Sequence, residues 1–486
     1  MIMRHSFLTV SLAMMLLQIH AQDNLRMNSC DFTAAETAHY MAPGWNLGNT
    51  LEGGNNANVF TNNAGNAAET LWQPTVTSKA VIDLVRQSGF KSVRIPCSWV
   101  MGHLADKENM TIDPAWMARV KEVVDYCIDN DLFVILNDHW DGGWLEYDGF
   151  TTGANVDEKK EQLRKLWTNI ATAFADYDGH LIFAGLNEPG VGGASPYVSG
   201  TLMVNQYSTD TDEREKAFAD RILEYEQVFV DAVRATGGNN ARRILVVQGP
   251  KVAAANTAKF FDVKKLADSA KGRIMVEIHN YDPYAFCQMN EDTDWGKVKY
   301  YWNGYAPRRA DSNRIGTTGE QSAIQRDFNN LKAAFVDNGY PVIVGEYGAI
   351  ARTLSSTQGT QQNHNESRQY WYNFSTSYAM EAGCIPFVWD INNAGYKTID
   401  RVNVAVGDEY NLNGIMDGAA SAQSAYNAIY PEPSTESGIG SVKYTQTSNG
   451  NVYDMGGRIV KSNANGLDMQ NFSHGIYIYN DRIYIK

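Results

Sequence analysis

Cysteine is scarce in this chain. Cys30, Cys97, Cys127, Cys287 and Cys384 are the only five in 486 residues, and no C-x-x-C pair occurs. An odd, widely spaced set of this kind builds neither a disulfide framework nor a zinc site. At least one thiol stays free, and Cys97 and Cys127, in apolar-periodic segments, read as small core residues. Positive charge is also short, with 41 Lys and Arg against 55 Asp and Glu and a formal net charge of −14. That balance argues against a nucleic-acid partner, which needs clustered basic residues, and offers nothing to an anionic membrane. Beyond the N-terminus no stretch approaches the ~18 apolar residues of a membrane span, so no membrane insertion of the mature chain is expected. No H-x-H occurs, and no G-x-G-x-x-G follows an apolar run. The first absence weighs against a metal-dependent barrel hydrolase using Asp138, His139 and His279, and the second against a dinucleotide fold. Neither metal nor cofactor is expected.

What is present begins with a leader. Arg4 and His5 precede the apolar run Phe7–Leu17, and the small residue Ala21 closes the segment. The run is too short to span a bilayer and fits a secretory signal over 1–21, cleaved near Ala21. From about residue 43 to 430, short apolar runs alternate with amphipathic stretches. The runs are "GWNLGN" (44–49), "SVRIP" (92–96), "LFVILND" (132–138), "LIFAGLNEP" (181–189), "RILVVQG" (243–249), "RIMVEIHNYD" (273–282), "PVIVGEYG" (341–348) and "IPFVWDIN" (385–392). Between them, segments such as 78–90, 114–131, 161–179 and 323–339 carry apolar residues at helical spacing. Asp113 and Pro114 read as the cap and first residue of one such helix. Runs that are apolar throughout are buried on both faces, as in a parallel sheet covered by helices. Eight β–α repeats predict an α/β fold: a (β/α)8 TIM barrel over 22–430, with its site at the C-terminal ends of the strands. "PEPSTESG" (431–438) reads as a linker, and the Tyr- and Ile-rich remainder, 439–486, as a small C-terminal β module.

Polar and aromatic residues end nearly every run. Glycosidic cleavage needs two carboxyl groups, one to protonate the leaving oxygen and one to attack the sugar or activate water. Glu188 in "LNEP" and Glu346 in "GEYG" stand at the ends of the fourth and seventh runs. Taken singly, a strand-end Glu is more often a salt-bridge partner; the surroundings of these two shift that balance. Asn187 beside Glu188 offers donor and acceptor atoms for a sugar hydroxyl. Gly345 and Gly348 flank the second Glu, where small neighbours let substrate come close. Arg94 ends the second run and suits a carboxylate that must stay ionised. His139 follows the third run, His279 and Tyr281 end the sixth, and Trp389 ends the eighth. Trp140, Trp144 and Trp389, with Trp302 as a further candidate, are aromatic faces of the kind that cover pyranose rings.

These stretches, in this order and over nearly the whole barrel, resemble glycoside hydrolase family 5. The likeness is carried by "GWNLGNTLE" (44–52), "GFKSVRIPCSW" (89–99), "VILNDHW" (134–140), "FAGLNEP" (183–189), "VEIHNYDPYAF" (276–286), "VIVGEYGA" (342–349) and "FVWDIN" (387–392). The resemblance implies a retaining endo-β-1,4-glycanase with Glu188 as acid/base and Glu346 as nucleophile. Asn187 would bind the hydroxyl beside the reacting carbon. Arg94 and Tyr281 would support the nucleophile, His139 and His279 would line the reacting subsite, and Trp389 would floor it. The chain departs from many relatives at Trp140, where a second His is common, and at Ala184, where an acidic residue is. Both departures bear on substrate choice. A glucan, cellulose-like or mixed-linkage, is the expected substrate. Xyloglucan or mannan, and a non-catalytic glycan-binding protein, are the alternatives. "NVYDMGGRIV" (451–460) and "GIYIYNDRIYIK" (475–486) resemble a type IX secretion sorting module, which implies a secreted or surface-attached protein and that export machinery as a partner. A carbohydrate-binding module is the alternative, though the tail has no Trp.

Overall fold

The computed structural model describes residues 27–145, 156–190, 211–302, 305–306 and 310–433, with four short strands beyond them. The expected leader (1–21), residues 146–155 and 191–210, and residues 434–438 of the expected linker lie outside the described residues. The described chain separates into two compact units, dividing between Pro433 and Ser434.

In the first unit, eight parallel strands close into one barrel. They are β1 (Gly44–Asn46), β2 (Ser92–Ile95), β3 (Phe133–Asn137), β4 (Leu181–Ala184), β5 (Leu245–Ala253), β6 (Ile274–Asn280), β7 (Val342–Tyr347) and β8 (Cys384–Val388). All but β5 are buried at every position, because the barrel interior lies on one side and helices on the other. Closure runs through β1, whose Gly44 pairs with Ser92 on one side and Phe387 on the other. A side chain at Gly44 would begin 2.3 Å from the Phe387 ring, so the seam admits only glycine.

A helix follows each strand: Lys79–Gln87, Pro114–Ile128, Val156–Ala173, Thr211–Ala235, Ala254–Phe260, Thr318–Ala334, Gln361–Glu381 and Glu409–Ile429. Their apolar stripes are the buried ones; Trp116, Val120, Val123, Val124 and Cys127 line one face of the second. Asp113 caps that helix, accepting from the N–H groups of Ala115 and Trp116. All five cysteines are free and buried. The shorter helix Ala34–Met41 sits at the N-terminal end of the barrel, started by a Thr33–Glu36 capping box.

All the strands but β5 end earlier than the apolar runs. β4 stops at Ala184, so Glu188 stands on the loop beyond it. Two small hairpins, Leu104–Asp106 with Thr111–Ile112 and Ile399–Asp400 with Ala405–Val406, decorate the loops after β2 and β8. No helix among the described residues is long and apolar enough to cross a membrane. The second unit contains a four-stranded antiparallel sheet in the order 459–461, 452–454, 476–479, 482–485.

Candidate active site

Strand register assembles the site. His279 on β6 lies opposite Glu346 on β7, and Asn46 on β1 opposite Arg94 on β2. Side chains two residues apart share a face of a strand, so Glu277, His279 and Tyr281 follow one another along and just past β6. Arg94 is fully buried at the centre. Its Nη1 donates to Glu346 Oε1 and to Asn46 Oδ1, both at 3.1 Å, and its Nη2 to Asn187 Oδ1 at 2.8 Å. Its Nε faces Glu277 Oε1 at 2.9 Å. Tyr281 Oη donates to Glu346 Oε2 at 2.9 Å, so each oxygen of Glu346 has its own donor. His279 Nδ1 lies 2.7 Å from Glu188 Oε1 and 3.7 Å from Glu346 Oε2. Glu188, His279 and Glu346 present atoms within 4.8 Å of one another. The Glu188 side chain is 26% exposed and that of Glu346 only 7%, so the first can be reached from solvent and the second is walled in.

Burial and charge act against each other here. Burial raises the Glu346 carboxyl; the charges of His279 and Arg94 oppose that rise, and burial is the larger effect. Burial would lower His279, but the charge of Glu346 and the contacts with Glu188 and Glu277 outweigh it and hold its pKa at about 10. Burial, with Glu346 adding to it, pushes the Tyr281 phenol well up, so it remains a donor. His139 is held well below its ordinary value by burial and then by the positive charges of Arg94 and His279, and is neutral. Its ring lies nearly parallel to Trp389, 11° off with centroids 6.0 Å apart, and its Nδ1 is 3.3 Å from Asn137 Nδ2. The donors of Glu188, His279 and Glu346 converge closely enough to chelate a cation, but the Arg94 guanidinium already supplies positive charge against Glu346.

The expected residues divide. Arg94, Asn187, Glu188, His279, Tyr281 and Glu346 are directly bonded to one another, while His139 and Trp389 form a parallel pair beside Asn137. Trp140 is half-buried at the rim, its indole 3.4 Å from Asn56 Oδ1. Trp144 and Trp302 are not platforms. Trp144 is 4% exposed, turned inward to donate to Asp138 Oδ2, and Trp302 is wholly buried in the core. The reading of Gly345 as room for substrate is also corrected. A Cβ there would lie 1.9 Å from Glu277 Oε1, so the space belongs to Glu277; one at Gly348 would meet the Tyr396 ring at 3.1 Å.

Sequence reasoning missed Glu277, Asn46 and Gln248. Glu277 is fully buried, and its Oε2 accepts from Gln248 Nε2 at 2.5 Å. Strand alternation from His279 and Tyr281 would have found it. Asn46 holds Gly345 O at 2.8 Å and has no local signal that announces it. A cavity of about 360 Å³ opens at the opposite end of the barrel, against Tyr40, Arg86, Asp131 and His180. That end of such a barrel carries stability rather than chemistry.

A parallel eight-stranded barrel with two facing carboxyls at the C-terminal rim, one partly exposed and one held by Arg and Tyr, defines a barrel glycoside hydrolase. The chain belongs to glycosyl hydrolase family 5: residues 51–395 match the family model described as cellulase (glycosyl hydrolase family 5). Endoglucanase A of Ruminococcus albus is 35% identical over 359 residues, 74% of this chain and 84% of that protein. A xyloglucan-specific endo-β-1,4-glucanase of Bacteroides ovatus is 32% identical over 82% of this chain and 72% of its own length. The crystal structure of a family 5 xyloglucan-specific β-1,4-glucanase from a ruminal metagenomic library, in complex with XXLG, aligns with a TM-score of 0.69 and 40% identity. That alignment covers 80% of this chain and 97% of the other. Residues 428–482 match the secretion system C-terminal sorting domain, so the chain carries a sorting module as well as a hydrolase.

Proposed function

We propose that this chain is a secreted, retaining endo-β-1,4-glucanase that acts on xyloglucan in preference to unbranched glucans, with Glu346 as nucleophile and Glu188 as acid/base. The observation that carries the mechanism is the carboxyl pair. Oxygens of Glu188 and Glu346 lie within 4.8 Å of each other. Retaining enzymes hold their carboxyls about 5–5.5 Å apart, whereas inverting ones leave roughly 6.5–9.5 Å for a water. The donors on each oxygen of Glu346 favour its anion, and the partly exposed Glu188 suits proton exchange with the leaving oxygen and then with water. Asn187, held by Arg94, faces the same space and would bind the neighbouring hydroxyl. Trp389 against His139 would floor the ring, and Trp140 would border it.

The substrate reading draws on the xyloglucan-specific relatives, among them the 40% identical structure and the Bacteroides ovatus enzyme. A second reading, an unbranched or mixed-linkage glucan, draws on the endoglucanases of comparable identity. The proposed organisation is a signal over 1–21 cleaved near Ala21, a catalytic barrel over 22–430, a linker over 431–438 and a sorting module over 439–486 that directs export.

Release of reducing ends from xyloglucan, carboxymethyl-cellulose, barley β-glucan and glucomannan tests this directly. Xyloglucan is expected to be cut fastest, giving products of β configuration by NMR, with activity falling roughly 10⁴-fold in Glu346→Ala. Faster cutting of barley β-glucan would move the substrate to the second reading and leave the mechanism standing. α-Configured products would overturn the retaining mechanism.

A further inference from the structure

The buried carboxylate of Glu277 is unexplained by the two-carboxyl chemistry. It lies wholly inside the barrel on β6, two residues before His279, and its neighbours are arranged to keep it there. Oε1 faces Arg94 Nε at 2.9 Å and His279 Nε2 at 3.2 Å. Oε2 accepts from Gln248 Nε2 at 2.5 Å, and the Oε1 of that glutamine accepts from the Leu186 N–H at 2.8 Å. Leu186 stands two residues before Glu188, so the carboxylate is linked to the chain that carries Glu188. Gly345 leaves the volume that Glu277 occupies. A buried charge is costly unless it is paired and hydrogen-bonded. Glu277 shares the counter-ion role with Glu346: it faces the Nε of Arg94, while the Nη donors go to Glu346, Asn46 and Asn187, and that role leaves its contact with His279 unexplained.

The His279 ring gives Glu277 something else to do. An ionised carboxylate only accepts, so the ring nitrogen facing Glu277 must carry a proton. His279 is therefore N–H at Nε2, and the proton exchanged with Glu188 has one place to go on the ring, Nδ1, 2.7 Å from Glu188 Oε1. We propose that Glu277 is a positioning residue for the reaction: by fixing the Nε2–H form of His279 it makes the acid proton one shared between Glu188 and His279 Nδ1.

This rests on the reading of Glu188 as acid/base and Glu346 as nucleophile. In the first step Glu346 bonds to the anomeric carbon as the glycosidic C–O bond breaks, and the shared proton leaves Glu188 for the departing oxygen. In the second, water bonds to that carbon, the Glu346–carbon bond breaks, and the water's proton returns to Glu188 and is again shared with Nδ1. The charged and titratable groups around the ring are Arg94 from β2, His139 beyond β3, Glu188 beyond β4, Glu277 and Tyr281 along β6, and Glu346 on β7. Glu226 lies behind Gln248, its Oε1 accepting from the Gln248 N–H at 2.6 Å.

Glu277→Gln tests the proposal through kcat/KM on two substrates. One is xyloglucan, whose leaving sugar needs the proton; the other is a 2,4-dinitrophenyl β-glycoside of a glucan oligosaccharide, whose leaving group does not. The expected result is a loss of about 10²-fold on the polysaccharide and of no more than about threefold on the aryl glycoside. The alkaline limb of the polysaccharide profile should also fall by about one pH unit, because removing a negative neighbour lets the ring lose its proton sooner. Equal losses on both substrates with an unmoved alkaline limb would overturn it. Should Glu277→Gln fail to fold by circular dichroism, the double variant Glu277→Gln with Gln248→Glu decides the matter by the same two readouts. It keeps every hydrogen-bond partner and moves the charge away from His279. Glu188→Ala is the separate control: if it loses as much on the aryl glycoside as on xyloglucan, the acid/base reading fails, whatever Glu277 does.

Discussion

Glu52 shows how far the interior can move a single group. It is buried in the loop after β1, where its carboxylate accepts from the N–H groups of Asn49 and Thr50. Burial raises its pKa from 4.5 to about 7, against the backbone hydrogen bonds and the charge of Arg401. A carboxyl whose pKa is raised on folding favours the protonated folded state. Its contribution is complete below about pH 4.5 and is lost as pH rises through about 7, a change of order 3 kcal/mol. Thermal melts from pH 4.5 to 8 should show that decline, and Glu52→Gln should flatten it. An unchanged slope in the variant would place the decline elsewhere. At this scale Glu188, Glu346 and Arg94 were legible because each is a charged residue ending an apolar run. Glu277 was legible only as a residue sharing a strand face with His279 and Tyr281; nothing local in the run signals the Arg and Gln that surround it.

Among the elements, the loops beyond the strands are also tied to one another. Asp141, in the loop after β3 and with a positive φ of 46°, accepts from the N–H groups of Trp99, Val100 and Met101 at 2.9, 2.6 and 2.7 Å. One side chain thereby fastens the loop after β2 to the loop after β3. Asp141→Ala strands three buried donors, each worth about 1–3 kcal/mol. A loss of at least about 3 kcal/mol in urea unfolding is expected, and a loss below about 1 kcal/mol would mean that water replaces the carboxylate. Gly345→Ala forces Glu277 aside, with an expected cost of about 1–3 kcal/mol and a fall in kcat/KM on xyloglucan. All eight strands could be read in advance, since β-branched runs between polar ends have few other stable forms. The hairpins at Leu104–Ile112 and Ile399–Val406 could not, because strands of two or three residues carry no period.

For the molecule as a whole, the chain separates at Pro433–Ser434 into the barrel and the sheet-bearing unit. A chain ending at Pro433 is expected to keep the kcat/KM and melting temperature of the full protein in vitro, and to be retained in the cell envelope when expressed in a host with the export system. Loss of activity on truncation would give the tail a part in catalysis instead of sorting. The net charge of −14 is compatible with a neutral glycan and argues against a polyanionic partner.

The linear chain by itself determined the barrel, the two candidate carboxyls and the sorting tail. Each of these is written in local pattern: apolar runs, their polar ends and shifts in composition. Only the tertiary structure decided which aromatic residues face the cleft and which, like Trp144 and Trp302, are core. It alone made Gly345 the space for Glu277 and set His279 between three carboxylates. The reason is physical. A barrel brings together residues from strands far apart in sequence, and burial and charge act between those neighbours through space, where no periodicity along the chain can record them.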